Sequence, residues 1–211
     1  MKLAVINELS ASSRNKDIMD ALEGYEELKV YNVGMKNPEE DNPITYIHTG
    51  IMAAILLNTK ICDMVVGGCG TGQGFVNSVM QFPNVFCGLI QEPLDAWLFS
   101  QINGGNCISL ALNKGYGWAA QINLQYIFEK LFKDPAGQGY PVERQESQRQ
   151  SREILRHLTE VSHRDFAEIL RGLDPEILRA VAARQTFMDL LHAYEEENSA
   201  VKEVLLVLRN L

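Results

Sequence analysis

Met64-Val65-Val66-Gly67-Gly68-Cys69-Gly70-Thr71-Gly72-Gln73-Gly74 carries a short apolar run into five glycines, with a cysteine and a threonine set between them. Helix-compatible residues follow from Phe75 to Gln81, so the stretch reads as strand, glycine loop and helix N-terminus. Such a loop can bring successive backbone N–H groups to one point, because glycine tolerates positive φ and lets a ligand reach the main chain. Cys69 stands among those donors, a base or nucleophile beside groups suited to negative charge formed on a substrate. The alternative reading of Cys69 is a small buried thiol beside a tight turn.

Outward from this loop, the apolar runs at Lys2–Ile6, Ile61–Val66, Asn84–Ile90 and Cys107–Leu112, together with Glu27–Val33, read as five strands. Helical stretches at Asn15–Gly24, Ile44–Asn58, Leu94–Ile102 and Trp118–Phe132 lie between and after them. Short strands alternating with helices give parallel βαβ units with right-handed crossovers, hence a doubly wound α/β sheet. Open sheets of this kind bind ligands at the carboxyl ends of their strands. That places Glu8 and the serines after the first strand as candidates, with Tyr46 and His48 entering after a proline-containing loop.

The α/β unit is expected over residues 1–133, followed by a Pro/Gly-rich linker and arm over 134–152 and a helical extension over 153–211. In the extension Ile154, Leu155, Leu158, Val161, Ile169, Leu170, Leu173, Ile177, Leu178 and Val181 recur at helical spacing. Its apolar stripes are expected to pack on the α/β core or on a sister subunit.

A net charge of −8 argues against nucleic acid or an acidic membrane as bulk partner. The four cysteines, Cys62, Cys69, Cys87 and Cys107, show no C-x-x-C pairing of a zinc or redox site, so reduced thiols in a cytoplasm are expected, with no metal and no cofactor. No apolar run approaches membrane-spanning length. The glycine loop follows the third strand and lacks the G-x-G-x-x-G register of a first βα turn, which weighs against a dinucleotide site, and the absence of Gly-Lys-Ser/Thr excludes a Walker loop.

The segment Gly67 to Gly74, followed at the expected interval by Glu92-Pro93 and then Asn103 and Asn106, resembles the ribose-5-phosphate isomerase B and galactose-6-phosphate isomerase family over roughly residues 1–150. The resemblance implies a Rossmann-like three-layer α/β/α sandwich with a five-stranded parallel sheet. It also implies a homodimer or higher oligomer with active sites at the interface, and metal-free aldose-ketose isomerisation of a sugar or sugar phosphate through a cis-enediolate. On that basis Cys69 is the base that moves the proton between C1 and C2, and Thr71 helps open the sugar ring. The amides at Gly70, Gly72 and Gly74 hold the enediolate oxygen, while Glu8, Asn103, Arg144 and Arg149 bind substrate; Tyr46 joins the substrate-binding candidates from its place after the loop alone. Proton abstraction beside a carbonyl needs such a base and such donors; a thiol of ordinary pKa near about 8.5 is lowered by a helix N-terminus.

The family's histidines after the first strand and before the asparagine are replaced by Leu9 and Ile102, and an arginine two residues before the latter by Ser100. These departures point to an open-chain substrate or a substitute acid, with Arg14 as a further anion partner. A sugar-phosphate-binding protein of the same fold without catalysis is the alternative reading.

Overall fold

The computed structural model describes residues 1–211. Its strands are β1 (Lys2–Asn7), β2 (Lys29–Asn32), β3 (Met64–Cys69), β4 (Cys87–Ile90) and β5 (Cys107–Ala111). They form one parallel sheet in the order β2-β1-β3-β5-β4. Side chains alternate faces along each strand, so Leu3 and Val5 of β1 enter one core while Ala4 and Ile6 enter the other.

The first core lies under α1 (Asn15–Leu22) and α5 (Ala120–Phe132), through Ile18, Leu124, Ile127 and Phe128, with α4 (Pro93–Leu98) packed beside α5. The second lies under α2 (Tyr46–Asn58) and α3 (Gln73–Val79). Helix α2 is buried continuously from Thr49 to Leu57. A helix that is apolar on every side needs cover on every side, and the C-terminal helices supply the half that the sheet does not.

Those helices are α7 (Phe166–Arg171), α8 (Pro175–Ala182), α9 (Gln185–Tyr194) and α10 (Ser199–Arg209); α6 (Gln145–Ser162), which precedes them, has no buried residue. Leu170, Leu178, Val181, Phe187, Leu191, Val204 and Leu205 join the α2 side chains in a single core. Polar ties pin the layer down: Tyr31 and Tyr194 share a 2.7 Å hydroxyl contact, and Asn198 donates to the Thr59 carbonyl at 2.7 Å. Arg184, 7% exposed, donates to the Gly34 carbonyl at 3.1 Å and to Glu40 at 2.6 Å. Partial burial works against ionisation of Glu40, but Arg184 and the Lys36 and Asn37 amides outweigh it and hold its carboxyl below the usual range.

The structure corrects several expected boundaries. Strand β3 runs on through Gly67 and Gly68 to Cys69, because bare glycines admit the Phe75 ring on one face and the Leu110 backbone on the other. Helix α4 stops at Leu98 and continues as a π-helical turn over Phe99–Asn103. Helix α6 begins at Gln145, ahead of residue 153. No helix is long and apolar enough to cross a membrane.

Candidate active site

The sheet order reverses direction between β1 and β3, so the loops leaving their carboxyl ends diverge and leave a cleft, the usual ligand position in this architecture. Both strands deliver chemistry there. Asn7 and Gly68 are register partners, so Glu8 and Cys69, the next residues along, emerge side by side. Both are nearly buried, at 5% and 6% exposure.

The β1 loop turns into a 3-10 segment, Leu9–Arg14, capped by Glu8. One Glu8 carboxylate oxygen accepts from the Ser10 amide at 2.9 Å, and the other accepts from the Ser10 hydroxyl. The Ser10 Oγ in turn accepts the Gly70 N–H at 3.0 Å. Asn113, beyond β5, closes the lattice: its side chain donates to the Ser10 carbonyl at 2.8 Å, and its backbone N–H and that of Lys114 donate to the Gly70 carbonyl at 3.0 and 2.8 Å. Three loops are thereby fixed to one another around Cys69 before any ligand arrives.

The glycine loop itself is a tight turn. Gly72 sits at φ +76, a conformation costly for other residues, and caps α3; its amide donates to the Cys69 carbonyl at 3.2 Å and its carbonyl accepts Ser109 Oγ at 2.6 Å. The expectation that Gly70, Gly72 and Gly74 present their amides together therefore needs correction. Gly70 and Gly72 donate within the protein, whereas Thr71 and Gly74 have N–H groups with no protein acceptor. Thr71 Oγ1 lies 4.0 Å from Cys69 Sγ and accepts weakly from Gln73 N at 3.4 Å. The Tyr46 ring borders the loop, so near Gly74 that a β-carbon there would fall within 3.0 Å of it.

Other expected site residues lie elsewhere. Asn103 precedes β5, and lines a groove of about 530 Å³ with Phe86, Arg144, Arg152 and Leu158 beside the first residue of β4. Cys69 pairs with the last residue of β5, so the two regions are separated by that strand's length, roughly 13 Å at about 3.3 Å per residue. Arg149 on α6 is committed to Glu146 and Glu153. Arg152, not singled out in the sequence, donates to the Ile102 and Gly137 carbonyls at 2.9 and 2.7 Å and so positions the Asn103 turn. Asn106 is structural, clamping Phe86 N and the Asn84 carbonyl at 2.9 and 2.8 Å. His48 Nδ1 accepts the Thr45 amide at 2.9 Å in a capping box, and burial lowers its pKa. Nowhere do three His, Cys, Asp or Glu side chains converge as a metal would need.

Cys69 thus lies across the sheet from an acidic first loop, inside a pre-tied glycine turn. The sequence model described as Ribose/Galactose Isomerase matches residues 3–140. The chain belongs to that isomerase family. Two solved structures extend the likeness over the full length, helical layer included. A 4-deoxy-L-threo-5-hexosulose-uronate ketol-isomerase complexed with a tartrate is 38% identical, with 100% of both chains covered and a TM-score of 0.94. A ribose-5-phosphate isomerase from Vibrio parahaemolyticus is 41% identical, with 100% of this chain and 99% of that one covered and a TM-score of 0.92. The Thermotoga maritima ribose 5-phosphate isomerase shares the fold alone, at 17% identity over 71% of this chain and 97% of its own, with a TM-score of 0.57. No match was found among curated protein sequences. The isomerase family thus supplies the reaction class, sugar isomerisation, an intramolecular oxidation and reduction.

Proposed function

We propose that this isomerase converts an open-chain acidic aldose of the hexosulose-uronate type into its ketose, through a cis-enediolate formed at Cys69. The observation that carries this reading is the state of the histidines. Leu9 and Ile102 stand where the family's histidines would act, and His48, the sole histidine of the α/β unit, spends its Nδ1 on a helix cap. The Cys69 cleft of a single chain therefore offers no imidazole acid for ring opening, and His163, which lines the Asn103 groove, has its Nδ1 held at 3.0 Å by the Thr159 carbonyl. A 4-deoxy-5-hexosulose-uronate needs no such acid: C5 is a ketone and C4 bears no hydroxyl, so neither oxygen of a normal five- or six-membered ring is available to close on C1. The 38% identical relative is named for that substrate.

In this scheme Cys69 Sγ takes the proton from C2 and the electron pair moves to O1. The Thr71 and Gly74 amides, the loop donors without protein acceptors, receive the enediolate oxygen. Thr71 Oγ1 passes the hydroxyl proton from O2 to O1, and Cys69 returns its proton to C1, leaving the ketone at C2. Glu8, held by Ser10, fixes the loop and a substrate hydroxyl. The active unit is a dimer or higher oligomer in which Asn103 and Arg144 of one chain complete the Cys69 cleft of another. Their separation from Cys69 within one chain supports this, as does the uncovered apolar stripe of α6 beside them.

The test is NMR in deuterium oxide with the hexosulose-uronate, ribose 5-phosphate and galactose 6-phosphate as substrates. Turnover of the uronate with solvent deuterium entering at C1 is expected, and Cys69→Ala should lower it by about 10²–10⁴-fold. Full turnover by Cys69→Ala would overturn the assignment of the base. Conversion of the phosphates alone would select the second reading, a sugar-phosphate isomerase, which the Vibrio parahaemolyticus likeness favours.

A further inference from the structure

The loop from Asn113 to Ala119, between β5 and α5, is not used by the scheme above, yet it leaves the cleft directly. Its root is tied to the catalytic turn through Leu112 N to the Cys69 carbonyl at 3.1 Å and through the two donors to the Gly70 carbonyl. Tyr116 then forms a fixed post: its hydroxyl donates to Asp17 at 2.6 Å, and the Arg14 guanidinium stacks 4.6 Å from its ring centre. Around that post the chain is free. Gly115, at φ +74, and Gly117 both face open space where a side chain would project.

At the tip stands Trp118, 100% exposed, while the chain's other tryptophan, Trp97, is half-buried with its indole N–H on Asp134 at 2.9 Å. An indole carries about 150–250 Å² of surface whose burial is favourable, and here none of it is covered. Behind the loop lies a cavity of about 310 Å³ reached by Gln91, Lys114, Trp118 and Asn123. Lys114, at the root, forms no ion pair, although the chain carries a net charge of −8. Ala119, the residue immediately before α5, holds a left-handed φ of +61 that a non-glycine residue adopts at a cost. A cation at the base, a pinned post, glycines on either side of the post and a bare indole form a flap rooted on the catalytic turn.

We infer that the Lys114–Ala119 loop is the substrate-closing element of this isomerase, swinging about Gly117 to lay Trp118 over the bound sugar while Lys114 meets its carboxylate. Trp118 is then a specificity and positioning residue, excluding water from the enediolate. This rests on the acidic-sugar reading, but its test separates the two. In Trp97→Phe, Trp118 is the only tryptophan, and saturation with tartrate is expected to shift its emission to shorter wavelength and protect it from acrylamide quenching. Trp118→Ala is expected to raise KM for the hexosulose-uronate about tenfold with kcat changed less, and Trp118→Phe to restore part of the loss. Lys114→Ala should raise KM for the uronate in the same way.

If the uronate is turned over but Trp118→Ala keeps the parental KM and tartrate leaves the emission unchanged, the flap is refuted and the proposed function stands. If tartrate shifts the emission but no uronate is turned over, the substrate reading fails and the flap stands. A Trp118→Ala protein that sediments at a different mass overturns the flap in favour of a subunit contact.

Discussion

Helices α2 and α6 show how differently one chain can treat two helices. Of the 13 residues of α2, the run Thr49–Leu57 is wholly buried, whereas α6 has 18 residues and not one is buried. Helix α2 has no polar face to offer water, so the sheet covers one side and α7–α10 the other. Helix α6 has a charged face and an apolar stripe, with Ile154, Leu155, Leu158 and Val161 between 48% and 64% exposed. The first helix is completed by its own chain. The second is completed, on our proposal, by another copy, and it flanks the groove that holds Asn103 and Arg144.

The largest expected effect tests the covered helix. Phe187→Ala removes a fully buried ring from the layer over α2 and should cost about 3–5 kcal/mol in urea unfolding. A loss below about 1 kcal/mol would mean that the layer is not integral to the core. Arg184→Met strands Glu40 beneath the same layer. Breaking a buried pair costs about 3–5 kcal/mol, and the 23% exposure of Glu40 reduces the expectation to about 2 kcal/mol. Because the folded-state pKa of Glu40 is lowered, the contribution of this pair is complete above the unfolded carboxylate value of about 4.3 and is lost as pH falls through the lower folded value. The gap in stability between wild type and Arg184→Met should therefore narrow on acidification from pH 6 to about pH 3, and a gap independent of pH would remove Glu40 from the explanation.

The uncovered helix predicts the opposite pattern. Leu158→Asp should leave the fold of the single chain intact, since the residue is half-exposed there and any loss of unfolding free energy would come from dissociation alone. It should nevertheless reduce the sedimenting mass and lower kcat/KM at least about tenfold. An active protein of unchanged mass would break the comparison. The smallest effect belongs to Arg149→Ala: the guanidinium is exposed and already satisfied by Glu146 and Glu153, so kcat/KM should stay within about twofold.

The sheet was legible in the sequence because four of its strands are apolar runs bounded by polar or glycine residues, while β2 at the edge mixes polar and apolar residues, and the five strands appear where those segments lie. Boundaries slipped where glycine serves two purposes. Gly67 and Gly68 look like loop but are strand residues whose missing side chains admit Phe75 and Leu110. Cys69 and Thr71 were visible from the motif, yet which amides remain free was not, since that depends on Ser10 and Cys69 acceptors contributed by the folded turn. Asn103 carried a family signature, and its place ahead of the fifth strand of a parallel sheet sets it at the end opposite Cys69, a consequence the motif alone does not show. Trp118 was read only as the start of the last helical stretch of the α/β unit, with no sign of its exposure, and only the fold shows it bare. The role of the helical layer could have been read from α2, where Ile51 to Leu57 has no polar face.

That layer has a consequence for how the protein comes into being. Synthesis runs from the N-terminus, so the sheet and α2 are made well before Leu178, Phe187, Val204 and Leu205, which share their core. Until those residues emerge, α2 presents its outer flank to solvent, in the kind of incompletely packed state that aggregates unless it is sheltered. The last quarter of the chain thus acts as the closing step of maturation, and a nascent isomerase halted at the end of α6 would be a client for chaperones.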